Sequence, residues 1–165
     1  MSNFSAVSRA DDGNSETNSI ERSIFIKASR ERVWNALSTA EQFGIWFGVD
    51  LTGQTFAAGQ RTRGLMGEGC GHDNMWFDVI VERLEPQDVF AYRWHPFAVD
   101  QTVDYSGEQR TLVTFTLKDV PDGTLLTVVE TGFDNIPPHR RLEAFRAHSG
   151  GWEAQLQNIA RHVSA

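Results

Sequence analysis

Apolar residues near the C-terminus recur at intervals that alternate between three and four positions. This spacing predicts a long amphipathic helix over residues 141–163, because one face of an α-helix repeats every 3.6 residues. Pro137 and Pro138 precede the pattern, and proline is tolerated in a first helical turn. The repeat consists of Leu142, Phe145, Trp152, Leu156, Ile159 and Val163, with the polar Ser149 at one step.

Two adjacent glycines, Gly150 and Gly151, lie in the middle of this predicted helix, directly before Trp152. Each glycine costs about 1 kcal/mol relative to alanine in a helix interior. Two reasons would account for them. The helix could pack closely against a sheet at this point, or the missing side chains could leave volume beside Trp152 for a ligand.

The rest of the chain mostly alternates with the period of two that is typical of half-buried strands. A first strand is predicted over 20–27, followed by two short helices that begin at Ser29, a good N-cap, and at Thr39 and extend to Leu37 and Phe43. From residue 49 to 131 the pattern indicates strands throughout, separated by glycine-rich and proline-containing turns. Consecutive strands with tight turns predict an antiparallel meander of about six strands.

This element order predicts an α+β fold, in which a curved antiparallel β-sheet wraps around a long C-terminal helix. A long helix laid into a curled sheet would leave a cavity between the two. Residues 1–19 are polar and are predicted to be a disordered leader, and residues 20–165 are predicted to form a single domain.

Composition narrows the class of protein. The 165 residues carry a net charge of -7, and such an acidic chain is repelled by the phosphates of nucleic acids. No apolar run reaches the roughly 20 residues of a membrane span, and residues 1–19 lack the basic start and apolar centre that are typical of a signal peptide. The single cysteine, Cys70, excludes an internal disulfide and fits a reducing cytoplasm. We therefore expect a cytoplasmic protein with neither nucleic acid nor a membrane as partner.

Aromatic side chains are expected on the concave side of the sheet. The chain has 11 phenylalanines and 5 tryptophans, which indicates either a bulky core or a lined cavity of several hundred Å³. Both interpretations stay open for each residue, and Trp46 and Phe47 could close the mouth of such a cavity. The residues predicted to bind a ligand are Trp46, Phe47, Phe77, Tyr92, Trp94, Phe115, Val128, Glu130, Ser149 and Trp152.

Glu130 is the sharpest single candidate for chemistry. It is in phase with Leu126 and Val128, so its carboxylate should face the apolar side of its strand. Burial would raise its pKa and could make it a proton donor or acceptor, and Glu130→Gln should then change ligand affinity with little loss of fold. The alternative is a carboxylate at the sheet rim that pairs with a base such as Arg93 or His148.

Other signatures of chemistry are weak. No nucleophile elbow is present, and the glycine-rich segment 67–71 has no phosphate-binding lysine and precedes no helix. Cys70 and His72 are too sparse for a zinc site, so neither a metal nor a cofactor is predicted. His72 and Asp73 are expected at the rim of the cavity. A cyclase or hydrolase would have to pair Glu130 with His95 or Tyr92.

Several short segments occur in the order found in one protein family. Together they resemble the Hsp90-ATPase-activator-like branch of the START/Bet v 1-like (SRPBCC) superfamily, over about residue 20 to the C-terminus. The segments are Val33-Trp34-Asn35-Ala36-Leu37 with Trp46-Phe47-Gly48, the hairpin from Arg83 to Trp94, Val113-Thr114-Phe115, Gly123-Thr124-Leu125-Leu126-Thr127, and Glu130-Thr131-Gly132-Phe133 with Gly150-Gly151-Trp152.

The resemblance implies a helix-grip fold with a hydrophobic cavity between sheet and helix. Members of the superfamily bind lipids, hormones or polyketides, some relatives are cyclases or hydrolases, and the eukaryotic namesake stimulates the Hsp90 ATPase. With 165 residues, we expect the chain to lack the separate N-terminal domain of that co-chaperone.

Three hypotheses of function follow. The leading one is binding of a small apolar or aromatic molecule in the cavity. The second is an enzyme of the cyclase or hydrolase type, and the third is an Hsp90 co-chaperone-like interaction protein. The sequence leaves open whether any reaction is catalysed. Unpaired edge strands would allow homodimerisation.

Overall fold

The computed structural model describes residues 16–67 and 75–164. Within them the chain forms six strands, three α-helices and one short 3-10 helix. In chain order these elements are β1 (Ser19–Ile26), α1 (Arg30–Ser38), α2 (Ala40–Phe47), β2 (Arg61–Leu65), β3 (Trp76–Glu85), β4 (Val89–Trp94), β5 (Thr111–Val120), β6 (Gly123–Thr131), the 3-10 helix (Phe133–Asn135) and α3 (Pro138–Ser164).

All strands join one antiparallel sheet in the order β1-β6-β5-β4-β3-β2, with α3 packed against it. The predicted α+β helix-grip architecture is therefore confirmed. Five strands follow the two short helices in the described part of the chain, close to the six or so that the sequence predicts. Residues 50–60 form two short turns joined by irregular backbone in place of a strand, and Gly53 and Gly59 adopt the left-handed backbone region there with φ of 77° and 82°.

The two short helices begin where the sequence predicts, or one residue later. Ser29 caps α1, since its side-chain oxygen accepts a hydrogen bond from the Arg32 backbone N–H at 3.1 Å. Helix α2 continues four residues beyond the predicted end at Phe43. It stops at Gly48, whose φ of 97° is the left-handed conformation that commonly ends a helix.

The packed fold begins slightly earlier than the predicted boundary at residue 20. Asn18 is buried, and its side-chain oxygen accepts a hydrogen bond from the Asp134 backbone N–H at 3.0 Å. Ser19 is already paired with Thr131 in the sheet. These two residues therefore belong to the domain and not to a leader, while residues 1–15 lie outside the described part of the chain.

The buried face of α3 matches the predicted stripe except at its start. Trp152, Leu156, Ile159 and Val163 are buried, but Leu142 is 48% exposed. Ala144 is buried in its place. Two residues correspond to roughly 200° of rotation around a helix, so Leu142 points away from the face that Ala144 occupies. None of the helices in the described residues is both long enough and apolar enough to span a membrane.

Candidate functional site

A cavity of about 760 Å³ lies between the sheet and α3, beside the loop 95–110 that joins β4 to β5. Its size agrees with the several hundred Å³ expected from the sequence. The inner wall combines aromatic side chains with one face of α3. It includes Phe47, Phe77, Trp94, His148, Gly151 and Trp152.

The aromatic wall is built around a pair of tryptophans from different elements. The rings of Trp94 on β4 and Trp152 on α3 are stacked, with centroids 5.9 Å apart and an interplanar angle of 26°. The ring centroid of Phe47 lies 6.2 Å from that of Trp94 and 6.3 Å from that of Trp152. The ring centroid of Phe77 lies 5.9 Å from that of Trp94. This wall therefore presents continuous aromatic surface to the cavity.

Glu130 on β6 holds this wall in place from behind. Its carboxylate is fully buried and accepts four hydrogen bonds, two on each oxygen. Oε1 accepts from His148 Nδ1 at 2.7 Å and from Trp152 Nε1 at 2.8 Å. Oε2 accepts from Trp94 Nε1 at 2.8 Å and from Thr111 Oγ1 at 2.5 Å. Two carboxylate oxygens offer about four acceptor positions, so Glu130 is saturated.

The ionisation of Glu130 differs from the expectation based on burial alone. Burial by itself raises the pKa of the carboxyl, but the charge and hydrogen bond of His148, with the bonds from Thr111 and Trp94, outweigh it and lower the pKa below its usual value. The predicted upward shift is therefore wrong. The alternative pairing with His148 is the one observed, whereas Arg93 bonds to Glu82 at 2.5 Å. Glu130 thus remains a carboxylate and organises its neighbours.

His148 lies on the cavity wall with one ring nitrogen committed to Glu130. An ionised carboxylate can only accept, so Nδ1 carries the proton and donates it at 2.7 Å. The other nitrogen, Nε2, has no hydrogen-bond partner among the residues that the structure describes. The sequence offered His148 only as a partner for Glu130. Its position one helical turn before Trp152 was the signal that both side chains share a face.

A charged part of the cavity extends around the edge of the sheet formed by β2 and β3. Phe77 and Asp78 are neighbours on β3 and point to opposite faces of the sheet, yet both line the cavity. Asp78 accepts from Arg61 at 2.8 and 2.6 Å and pairs with Arg63 at 3.3 Å. The Arg63 guanidinium lies 4.5 Å from the Trp76 ring centroid. Sequence reasoning missed this group, because local strand alternation does not reveal that side chains from both faces of a strand line the cavity.

The loop 95–110 is fixed to α3 by a largely buried ion pair. Arg140 donates to Glu108 Oε1 at 2.9 and 2.6 Å and to the Pro96 backbone oxygen at 2.7 Å. Its guanidinium also lies 4.7 Å from the ring centroid of Tyr105. The loop contributes residues 97–106 to the cavity, with the exception of Thr102. The Arg140 contacts therefore set the position of one cavity wall.

The ten residues predicted to bind a ligand fall into two groups. Four line the cavity, and six lie elsewhere, so the ligand-binding assignment stays a prediction for all of them. The four are Phe47, Phe77, Trp94 and Trp152. The other six are Trp46, Tyr92, Phe115 and Val128 in the buried core, Glu130 behind the aromatic wall, and the partly buried Ser149.

Neither residue proposed as a catalytic partner of Glu130 forms a bond with it. His95 Nε2 is 3.1 Å from the Glu108 backbone oxygen. The Tyr92 hydroxyl is buried and has no hydrogen-bond partner among the described residues. Burial, with a smaller contribution from the charge of Glu130, raises the pKa of Tyr92 well above its usual value. The residue that bonds to Glu130 is His148 instead.

The adjacent glycines of α3 border open space. A Cβ atom added at Gly150 or Gly151 would meet no atom within 4 Å outside its own helical neighbourhood. The explanation by close packing against the sheet is therefore wrong. Gly151 lines the cavity whereas Gly150 does not, so the missing side chain at position 151 leaves volume beside Trp152.

Metal ligation finds no support in the geometry of residues 16–67 and 75–164. No three His, Cys, Asp or Glu side chains among them lie close enough to hold an ion. Cys70, His72 and Asp73, which were weighed for a metal site and for the rim of the cavity, lie outside the described residues.

Solved structures similar to this chain share its fold. Protein MLL2253 from Mesorhizobium loti is 23% identical, with a TM-score of 0.68 over 88% of this chain and 96% of that one. Protein CV1439 from Chromobacterium violaceum is 21% identical, with a TM-score of 0.66 over 90% and 98%. The Aha1 dimer from Colwellia psychrerythraea is 20% identical, with a TM-score of 0.60 over 86% and 92%.

Comparison with curated proteins gave no match for this chain. A family model described as "Activator of Hsp90 ATPase homolog 1-like protein" matches residues 27–164. That match covers all elements from the end of β1 to the end of α3, and it includes each of the segments on which the resemblance rests. The chain therefore belongs to the family of Activator of Hsp90 ATPase homolog 1-like proteins.

Proposed function

We propose that this protein binds a small apolar or aromatic molecule in the cavity between the sheet and α3. The observation that carries the proposal is the aromatic wall of Trp94 and Trp152, stacked 5.9 Å apart and held by Glu130 on a cavity of about 760 Å³. Cavities of this size that combine apolar walls with a few fixed polar groups are typical small-molecule sites.

The energetics of the wall favour binding over mere packing. Each indole N–H is bonded to Glu130 at 2.8 Å, so the two rings are oriented before a ligand arrives. Preorganised side chains lose little rotamer freedom on binding, and that loss otherwise costs about 0.5–1.5 kcal/mol per side chain. Aromatic contacts add about 0.5–1.5 kcal/mol beyond the burial of apolar area.

Native mass spectrometry of freshly purified protein tests for a retained small molecule, and calorimetry with a panel of aromatic compounds measures affinity. The sharpest variant is Gly151→Leu, which places a side chain in the cavity. We expect it to weaken binding at least about tenfold, because the ligand loses volume and wall contacts.

Gly150→Leu is the matched control. Both glycines lie in the same helical turn and border open space, but only Gly151 lines the cavity. Both variants should be slightly more stable than the parent, since each removes a helix glycine worth about 1 kcal/mol. Equal affinities of the two variants for every compound would contradict the cavity as the binding site.

The other two hypotheses receive less support. Similarity to the Aha1 dimer at 20% identity concerns the fold, so a chaperone partner and a homodimer remain predictions, as does the cytoplasmic location. For an enzyme, the favouring observation is the contact of Glu130 with His148 at 2.7 Å in place of the expected His95 or Tyr92.

A further inference from the structure

Arg110 lines the cavity with a guanidinium that has no bonding partner among the described residues. The residue is partly buried and directly precedes β5, and its side chain forms no hydrogen bond or ion pair with residues 16–67 or 75–164. A guanidinium has five N–H donors and no acceptor, and it stays charged at any physiological pH. Arg110 therefore offers its donors and its charge to whatever fills the cavity.

The histidine beside Arg110 does not share this charge. Trp94 is the register partner of Thr111, so His95 and Arg110 leave the sheet side by side. Burial, and after it the charge of Arg110, lowers the pKa of the His95 imidazole below its usual value. His95 is therefore neutral at neutral pH, and the positive charge at this point of the wall belongs to the guanidinium.

Asp78 is close enough to feel the charge of Arg110 but is bonded to other residues. Its two oxygens accept from Arg61 at 2.8 and 2.6 Å, and Arg63 Nε lies 3.3 Å from Oδ2. Burial raises the pKa of Asp78, but the hydrogen bond and charge of Arg61, with the charges of Arg63 and Arg110, outweigh it and lower the pKa. Three guanidinium groups thus act on one carboxylate, which leaves an excess of positive charge.

The other carboxylates that line the cavity, within the part of the chain that the structure describes, are Asp100 and Asp104. Both are exposed on the loop 95–110, where Asp100 accepts from the Thr102 backbone N–H and Asp104 from that of Ser106, each at 3.0 Å. Exposed charges are screened by water and salt. These carboxylates therefore weaken the field around Arg110 without occupying its donors.

We propose that Arg110 forms an anion subsite in the cavity, which makes the protein selective for apolar or aromatic ligands that carry a carboxylate. This inference rests on the proposed function, because it names a charged group on the ligand of that same cavity. The planar guanidinium can bond to both oxygens of a carboxylate at once. The apolar body of the ligand would pack on the aromatic wall at Trp94, the register partner of the residue after Arg110.

The net charge of the chain makes this preference diagnostic. The protein carries a charge of -7, so as a whole it repels an anion. An anion gains affinity over a neutral molecule of the same shape only where local positive charge outweighs that repulsion. A preference for a carboxylate over its neutral amide would therefore indicate a local site.

The test is calorimetry at neutral pH with matched pairs of an aromatic carboxylate and its primary amide. The pairs are benzoate and benzamide, 2-naphthoate and 2-naphthamide, and anthracene-2-carboxylate and anthracene-2-carboxamide. We expect the parent protein to bind the carboxylate of the best-fitting pair at least about tenfold more tightly, as for a hydrogen bond between charged groups. Added salt should reduce this preference, since it screens a partly exposed ion pair.

Two variants assign the preference to one side chain. Arg110→Gln removes the charge, so it should bind the amide as the parent does and lose the preference for the carboxylate. Arg110→Lys keeps the charge without the planar fork and should retain part of the preference. Arg146→Gln is the matched control, because it removes one positive charge at an exposed position of α3 outside the cavity, and it should keep the preference in full.

The outcomes separate the subsite from the cavity itself. If the parent binds the carboxylate of a pair no more tightly than the amide, the anion subsite is wrong and the proposed function stands. A full preference in Arg110→Gln, or an equal loss in Arg146→Gln, would also overturn the role of Arg110. Failure of all six probes to bind the parent would contradict the proposed function, and the subsite with it.

Discussion

At the scale of single residues, Glu130 places one carboxylate where four polar hydrogens meet behind an aromatic wall. Without it, the Trp152 indole N–H and the Thr111 hydroxyl would be buried without an acceptor, and the partly buried Trp94 and His148 would lose theirs. Each unsatisfied buried donor costs about 1–3 kcal/mol. The charge of Glu130 is tolerated in the core because all of its acceptor positions are used.

Glu130→Gln should therefore destabilise the fold, by about 3 kcal/mol in the free energy of unfolding. The amide oxygen can replace one carboxylate oxygen, but the amide nitrogen cannot accept, so two of the four donors lose their partner. Denaturant unfolding measures the effect. This expectation replaces the one from sequence, in which the same change altered affinity with little loss of fold.

The contribution of Glu130 also depends on pH in a defined direction. The pKa of the folded carboxyl lies below the ordinary value of 4.5, so the stabilisation is present above that value and is lost as the pH falls through the lower folded pKa. The difference in unfolding free energy between parent and Glu130→Gln should be constant near about pH 6 and shrink towards about pH 3. A difference that grows on acidification would contradict this assignment.

Tyr92 presents the opposite case, a buried hydroxyl without a partner among the described residues. Tyr92→Phe removes the unsatisfied group and keeps the ring contacts with Phe77 and Phe115. We expect a gain of about 1 kcal/mol in the free energy of unfolding, measured by denaturant titration. A loss of similar size would show that the hydroxyl has a partner in solution.

At the scale of elements, α3 and the β4–β5 loop form two adjoining walls of the cavity. Arg140 joins them, and its side chain in the ion pair with Glu108 is 9% exposed. Removing one member of such a pair leaves the other charge and its carbonyl partners without compensation. The position of the loop therefore depends on one side chain of the helix.

Arg140→Met should loosen the loop without unfolding the sheet. We expect faster amide hydrogen exchange in residues 97–108 and unchanged exchange in β5 and β6. Arg146→Met, at an exposed position of the same helix, is the control and should leave the loop as in the parent. Unchanged loop exchange in Arg140→Met would show that other contacts fix this wall.

Sequence patterns predicted the elements better than the site. Strand alternation placed Val113, Phe115 and Leu117 correctly on the buried face, because it depends only on local backbone geometry. The choice between core and cavity wall depends on how far the sheet curls and on what the loop covers. Tyr92 and Trp94 have the same phase on one strand, yet only Trp94 reaches the cavity.

Local sequence patterns also could not predict polar contacts between residues that are far apart in the chain. Glu130 and His148 are 18 residues apart, on a strand and a helix, and the sequence could name the pair only as one alternative. The link between Arg140 and Glu108 spans 32 residues and carried no sequence signal. Of the two glycines of α3, Gly151 lies on the cavity wall, so its unfavourable presence in a helix did point to this region.

At the scale of the whole molecule, sheet, helix and loop enclose one cavity, and its aromatic wall is fixed by a charge at the back. The Glu130 carboxylate bonds to Trp94, His148 and Trp152, and all three line the cavity. This arrangement suits recognition of a small apolar or aromatic ligand by shape. The account depends centrally on the claim that a ligand enters this space.

The most direct test is NMR of the tryptophan indole N–H signals during titration with an aromatic compound that binds. Trp94 and Trp152 line the cavity, whereas Trp46 does not. The Trp46 indole N–H donates to the Ala36 backbone oxygen at 2.8 Å. We predict that the Trp94 and Trp152 signals shift with a common dissociation constant while the Trp46 signal stays in place. Binding that leaves the Trp94 and Trp152 signals unchanged would contradict the account.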